Sequence, residues 1–107
     1  MAISIEEFRR VVLKVGKVVE ASRVEGSKKL IKLLVDLGRE KRQIVAGLAE
    51  YYRPEDLAGR YVVVVANLEP KRIMGLESQG MILATCEKPV LLTIEKAGDE
   101  HIGENVC

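Results

Sequence analysis

The chain has 107 residues, 48% of them apolar and 31% charged, with a net charge of +1. That length gives room for one domain with one core and none for a second, and the balance of apolar and charged residues excludes a disordered tail. The longest apolar run, Tyr61 to Ala66, is too short to span a bilayer, and Glu6 and Glu7 stand where a signal peptide needs basic residues, so no membrane and a cytoplasmic location are expected.

Ser4-Ile5-Glu6-Glu7 has the spacing of a capping box, which predicts a short helix over residues 5–9. Arg10 to Ala21 is valine-rich with Val11, Leu13 and Val15 on one alternating face, a strand in which Gly16 is the expected bulge. Ile31, Leu33, Val35 and Leu37 alternate with more polar neighbours, the period of a half-buried strand. A polar turn at Gly38–Lys41 leads into a third strand over Arg42–Leu48, completing a hairpin.

Tyr51 to Gly59 places Pro54 where a helix starts and Gly59 where one stops, so a single helical turn should connect the third and fourth strands. Tyr61–Ala66 reads as a buried strand, Asn67–Gly80 as irregular, and Met81–Cys86 and Val90–Ile94 as further strands broken by Glu87-Lys88-Pro89. Short curved strands, one connecting helix and no repeat predict an all-β fold, a five-stranded OB-fold Greek-key barrel. The expected division is a 1–9 N-terminal arm, a 10–96 barrel and a 97–107 C-terminal extension of the same domain. An SH3-like barrel is the nearest alternative.

Charge is unevenly spread. Arg9 to Arg42 carries eleven Lys/Arg against four Asp/Glu, while the remainder carries six against twelve. A basic stretch on an acidic body suits a polyanion, although solvated strand faces give the same pattern. Only two Asn and two Gln accompany abundant Lys and Glu, a composition found in heat-adapted proteins.

No catalytic constellation is visible. Cys86 and Cys107 are too far apart for a CxxC motif, and Cys86 is expected to be buried. The one histidine, His101, lies in a polar tail with Asp99, Glu100 and Glu104, and is expected to be solvated rather than a metal ligand. Gly75 to Gly80 has the glycine spacing of a phosphate-binding loop, but Met81-Ile82 stands where Lys-Ser/Thr is needed. No catalytic residue, metal or cofactor is therefore expected.

Asn67-Leu68-Glu69-Pro70-Lys71-Arg72-Ile73-Met74-Gly75-Leu76-Glu77-Ser78-Gln79-Gly80-Met81 resembles the signature of the tRNA-binding-domain family. That family includes the C-terminal domain or beta subunit of methionyl-tRNA synthetases and related free-standing proteins. Val15-Gly16-Lys17-Val18, Lys29-Leu30, Val35-Asp36-Leu37-Gly38, Arg42 to Gly47, Tyr52-Arg53-Pro54-Glu55 and Leu57-Ala58-Gly59 follow the family's order, so the resemblance covers about residues 10–96. One departure is Val24 to Lys28, where the family's His, Pro and Asp are missing.

The resemblance implies a non-catalytic accessory that grips the outer corner of tRNA and assists aminoacylation, as a homodimer and as beta subunit beside a methionyl-tRNA synthetase catalytic subunit. It carries over Asn67, Arg72, Ser78 and Met81 as tRNA contacts, with Lys29 and Arg42 on neighbouring strands, and charge adds Lys71. Chemically, Lys71 and Arg72 offer cations to phosphate, Asn67 and Ser78 short neutral hydrogen bonds, and Met81 an apolar contact to a base. Asn67 and Ser78 could instead hold the turn through bonds to backbone. With no Trp, one Phe and three Tyr, stacking on several splayed bases is not expected. A chaperone-like, peptide-binding dimer of the same fold is the alternative the resemblance also implies.

Overall fold

Alternating apolar residues make the strands, and the computed structural model describes all of them, residues 1–107, as one nearly closed barrel. The strands are β1 (Leu13–Arg23), β2 (Ile31–Asp36), β3 (Lys41–Ala46), β4 (Tyr61–Val65), β5 (Lys71–Ile73), β6 (Leu76–Ser78), β7 (Met81–Ile82) and β8 (Asn105–Val106). Helix α1 is Ile5–Phe8 and α2 is Pro54–Leu57. The sheet runs β3-β2-β1-β4-β7, all antiparallel, with β8 added on β1. This is an OB-like order, with β7 as the fifth strand of the barrel.

The core is Val18, Ile31, Leu33, Val35, Leu37, Ile44, Leu48, Ala49, Leu57, Val62, Val64 and Ile82. Leu57, at the end of α2, is fully buried and plugs the barrel between β3 and β4 in the chain. Ser4 accepts the Glu7 amide and Glu7 reaches back to Ser4, so the capping box forms as the spacing predicts.

Five expectations need correction. Gly16 is not a bulge: it stays in register opposite Val62, and the register shift falls between Val18 and Glu20. The reason for glycine is crowding, since a Cβ there would lie 2.6 Å from Val35 Cγ1. The bulge instead lets both Val18 and Ala21, three residues apart, face the core.

Asn67–Gly80 is not irregular but contains the β5–β6 hairpin. Its two-residue turn, Met74-Gly75, has φ of 50° and 79°, the positive values of a tight hairpin turn, with methionine where asparagine is the usual choice.

The stretch after β7 forms fewer ladder bonds than expected: β7 ends at Ile82, and Val90–Ile94 is no strand, joined to the sheet side only by an Ala84–Leu91 bridge. Thr85 explains part of this. Its hydroxyl accepts the Val90 amide at 2.9 Å and donates to the Lys88 carbonyl at 2.8 Å, so a side chain takes bonds a ladder would use. Pro89 lacks a donor as well, and Cys86 is exposed on this turn rather than buried.

The tail is docked through its backbone, while the Asp99, Glu100 and Glu104 side chains stay exposed. Gly103 N–H donates to Val15 O at 2.8 Å, Val15 N–H donates to Glu104 O at 3.0 Å, and Asn105–Val106 pairs with Leu13–Lys14. The carboxylate of Asp99 takes the Tyr61 hydroxyl at 2.5 Å and the Lys17 ammonium at 2.9 Å, which together hold it below its ordinary pKa. His101, half-buried, meets Glu104 at 2.5 Å, and that hydrogen bond raises the imidazole above its usual range.

Candidate nucleic-acid interface

The hairpin is the structural centre of the site. Directly opposed residues share a face, so Lys71 and Ser78, and Ile73 and Leu76, face one way, while Arg72 and Glu77 face the other. Ser78 is the only buried polar side chain, at 5% exposure, and fixes which face is inward.

Ser78 also closes the barrel. Its Oγ accepts the Val45 amide of β3 at 3.0 Å and donates to the Gly80 carbonyl at 3.2 Å. Next to it, Gln79 N–H donates to Gln43 O at 2.8 Å, and Gln43 Nε2 donates to Glu77 O at 2.9 Å. With its hydroxyl engaged on both sides, Ser78 holds the wall and does not present a free group to a ligand.

Ser78→Ala leaves the Val45 amide buried without its partner, a loss worth about 1–3 kcal/mol. Thermal unfolding should register it as a lowered midpoint; a variant as stable as the parent would contradict the barrel-closing role of the hydroxyl.

Between the hairpin, the end of β3 and the segment after β7 lies a groove of about 810 Å³, ten of whose seventeen lining residues are hydrophobic. Lys71, Ile73, Ser78 and Met81 line it together, and Tyr51 and Leu68 stand at its rim. Met81 is 47% exposed there, a flexible thioether surface. Of the seven expected residues, the structure thus gathers Lys71, Ser78 and Met81.

The other four do not line it. Arg72 projects from the back of the hairpin, its guanidinium donating to Gly75 O at 3.0 Å. Lys29 is exposed on the β1–β2 turn, whose backbone reaches β3's end through Ala49 N–H to Lys29 O at 2.9 Å. In that turn Ser27 Oγ accepts the Lys29 and Leu30 amides at 3.2 and 3.1 Å, which shapes it without the family's His, Pro and Asp. Arg42 is half-buried at the opposite end of the barrel, bonded to Glu40 and to the Ala66 carbonyl.

Asn67 lies near Arg42's end and is spent on backbone: Oδ1 accepts the Val12 amide at 2.8 Å and Nδ2 donates to the Arg10 carbonyl at 2.6 Å. It ties the start of the loop to the chain ahead of β1. Lys29, Lys71 and Arg72 form no ion pair, so their charge is free to meet an anion, whereas Arg42 is paired with Glu40.

One residue escaped the sequence reading. Met74, at the hairpin tip, is 58% exposed with φ of 50°, and its Cε lies over Gly26 of the β1–β2 turn. The alternation of Lys71-Arg72-Ile73 and Leu76-Glu77-Ser78 about Met-Gly was the available signal.

Residues 13–104 match the family described as "Putative tRNA binding domain". The chain belongs to the tRNA-binding-domain family. Relatives include the methionine–tRNA ligase of Thermotoga maritima, 51% identical over 105 residues that cover 98% of this chain and 17% of the ligase. The chain therefore spans about a sixth of the length of that relative. Among solved structures, a MetRS related protein from Pyrococcus horikoshii is similar with a TM-score of 0.89 at 39% identity, covering 100% of this chain and 99% of that one. The chaperone CsaA of Bacillus anthracis has the same TM-score of 0.89 at 28% identity, with both chains fully covered.

Proposed function

We propose that the chain is a non-catalytic tRNA-binding protein that holds the outer corner of tRNA and assists aminoacylation in the cytoplasm, as beta subunit to a methionyl-tRNA synthetase. The observation that carries this is the hairpin groove: Lys71 and Met81 line it together with Glu69 and Glu87, Arg72 stands on the other face of the hairpin and Lys29 on the β1–β2 turn, and no carboxylate is bound to any of the three cations. Such a surface supplies charge to phosphates and a compliant apolar patch to a sugar or base, and carries one exposed aromatic, Tyr51, in place of the several platforms of a single-strand reader. Asn67 and Ser78 serve it by positioning the loop, and Arg42 supplies charge beyond its far end.

Tethering tRNA beside a catalytic subunit raises its effective concentration without new catalytic contacts. Titration with unfractionated tRNA, followed by methionine charging assays with and without the protein, tests both parts. Binding with no gain in charging would remove the synthetase role while leaving tRNA binding intact.

A peptide-binding, chaperone-like role is the second reading, favoured by the mostly hydrophobic lining of the groove and by the likeness to CsaA. Apolar peptide in that groove would displace tRNA and would bind with little dependence on salt.

We also propose self-association as a homodimer. Helix α1 buries none of its residues: its own Ile5 and Phe8 stand exposed, as do Ile3 and Val11 on either side of it. A four-residue helix with its apolar side chains in water needs a covering surface to persist. Phe8→Asp should shift the protein toward monomer in analytical ultracentrifugation; an unchanged sedimentation distribution would place any dimer contact elsewhere.

A further inference from the structure

Inward positions at one end of the barrel are cationic. Lys14 sits opposite Val64 in the β1–β4 register and on the same face as Gly16 and Val18, all core positions. Arg42 sits opposite Val35 and on the same face as Ile44, again core positions. Where the apolar column would continue, the chain places two positive charges.

These two residues meet a third at the β2–β3 turn. Lys14, Arg39 and Arg42 line one notch of about 430 Å³, closed on its other side by the docked tail at Ile102–Glu104. The tail presses tightly there: a Cβ on Gly103 would lie 2.5 Å from the Leu37 carbonyl, and one on Gly38 would lie 3.3 Å from the Ile102 carbonyl. Two carboxylates are present, and both are already engaged, Glu40 with Arg42 and Glu104 with His101. Lys14 and Arg39 have no acidic partner.

The notch is joined to the hairpin groove. Arg42 also lines a shallow depression with Lys41, Leu68, Pro70 and Gln79, and Leu68 in turn lines the groove. A polyanion lying in the groove can therefore continue past the base of the hairpin to the barrel end.

We propose that Lys14 and Arg39, backed by the Glu40-paired Arg42, form a second phosphate-binding subsite, which takes a backbone phosphate of the same RNA held at the hairpin. It rests on the tRNA reading and extends it by a defined set of cations. The tail is part of this subsite, since it walls the notch and keeps Glu104 on His101.

Salt dependence reports directly on how many phosphates the protein neutralises. Lys14→Ala/Arg39→Ala should bind mixed tRNA several-fold more weakly at low salt, and the slope of log affinity against log salt should become shallower by roughly 0.7–0.9 for each phosphate no longer neutralised. Arg39→Ala alone, on an exposed turn, should give part of both effects with an unchanged melting temperature. If the parent binds tRNA and Arg72→Ala weakens it, but the double variant keeps the parent's affinity and slope, the subsite is wrong and the tRNA reading stands. A double variant that loses stability with an unchanged slope would likewise assign these cations to protecting the barrel end. No tRNA binding by the parent at any salt would overturn both.

Discussion

Lys71→Glu/Arg72→Glu should lower tRNA affinity by at least about a hundredfold, because each charge-assisted phosphate contact is worth roughly 1.5–3 kcal/mol and two are removed. Fluorescence anisotropy with labelled mixed tRNA measures it, and a double variant within twofold of the parent would contradict the hairpin as the contact surface. The hairpin geometry adds a finer expectation. Lys71 lines the groove while Arg72 projects from the opposite face, so the single alanine variants report on different paths. Equal losses mean RNA that wraps the hairpin; a loss confined to Lys71→Ala means RNA confined to the groove. In either outcome the loss should be the same for every tRNA, since neither residue is placed to read a base edge by itself.

The second large effect is on stability. Gly16→Val should lower the melting temperature by about 10 °C, from an overpacking cost of roughly 1–3 kcal/mol and about 4–8 °C per kcal/mol for a domain of this size. At Gly16 a Cβ would lie 2.6 Å from Val35 Cγ1, 3.1 Å from Leu37 Cδ2 and 3.3 Å from Val64 Cγ2. Val35 and Val64 are fully buried β-branched residues with restricted rotamers, so they have nowhere to retreat. Gly47→Ala is the matched control, as nothing lies within 4 Å of its added Cβ. Thermal unfolding followed by circular dichroism compares the two; equal midpoints would mean that the barrel relaxes around Gly16 at no cost.

Much of this architecture was legible in the sequence because one period dominates each strand. Ile31, Leu33 and Val35 alternate inward as expected, Pro54 and Gly59 bracket the helical turn, and Ser4 and Glu7 form their reciprocal cap. Illegibility began where side chains compete with the ladder or where long-range contact decides. Thr85 diverts the backbone after β7, and no local pattern announces it. The tail is too polar to look like a strand, yet its backbone bonds to Val15 and the Asp99 contacts with Tyr61 and Lys17 dock it across the barrel. Gly16 looked like a bulge because sequence shows a missing side chain but not the Val35 methyl that fills its place.

The candidate site was legible as a stretch and not as an arrangement. Sequence joined Asn67, Lys71, Arg72, Ser78 and Met81 into one loop, whereas pairing of β5 with β6 sends Lys71 and Arg72 to opposite faces. Asn67 and Ser78 are polar groups whose partners are backbone atoms far off in the chain, Val12 just ahead of β1 and Val45 in β3, and only tertiary structure reveals that commitment. Lys14 and Arg39 belong to the basic stretch that charge counting found, but their meeting with Arg42 depends on the β2–β3 turn and the tail closing on the same notch.

The most direct measurement is the affinity of the unmodified protein for unfractionated tRNA across a range of salt concentrations. Binding that falls linearly in log–log form, with a slope corresponding to several neutralised phosphates, is the predicted result. No binding at low salt, or an affinity insensitive to salt, would contradict tRNA recognition and leave the groove to an apolar peptide.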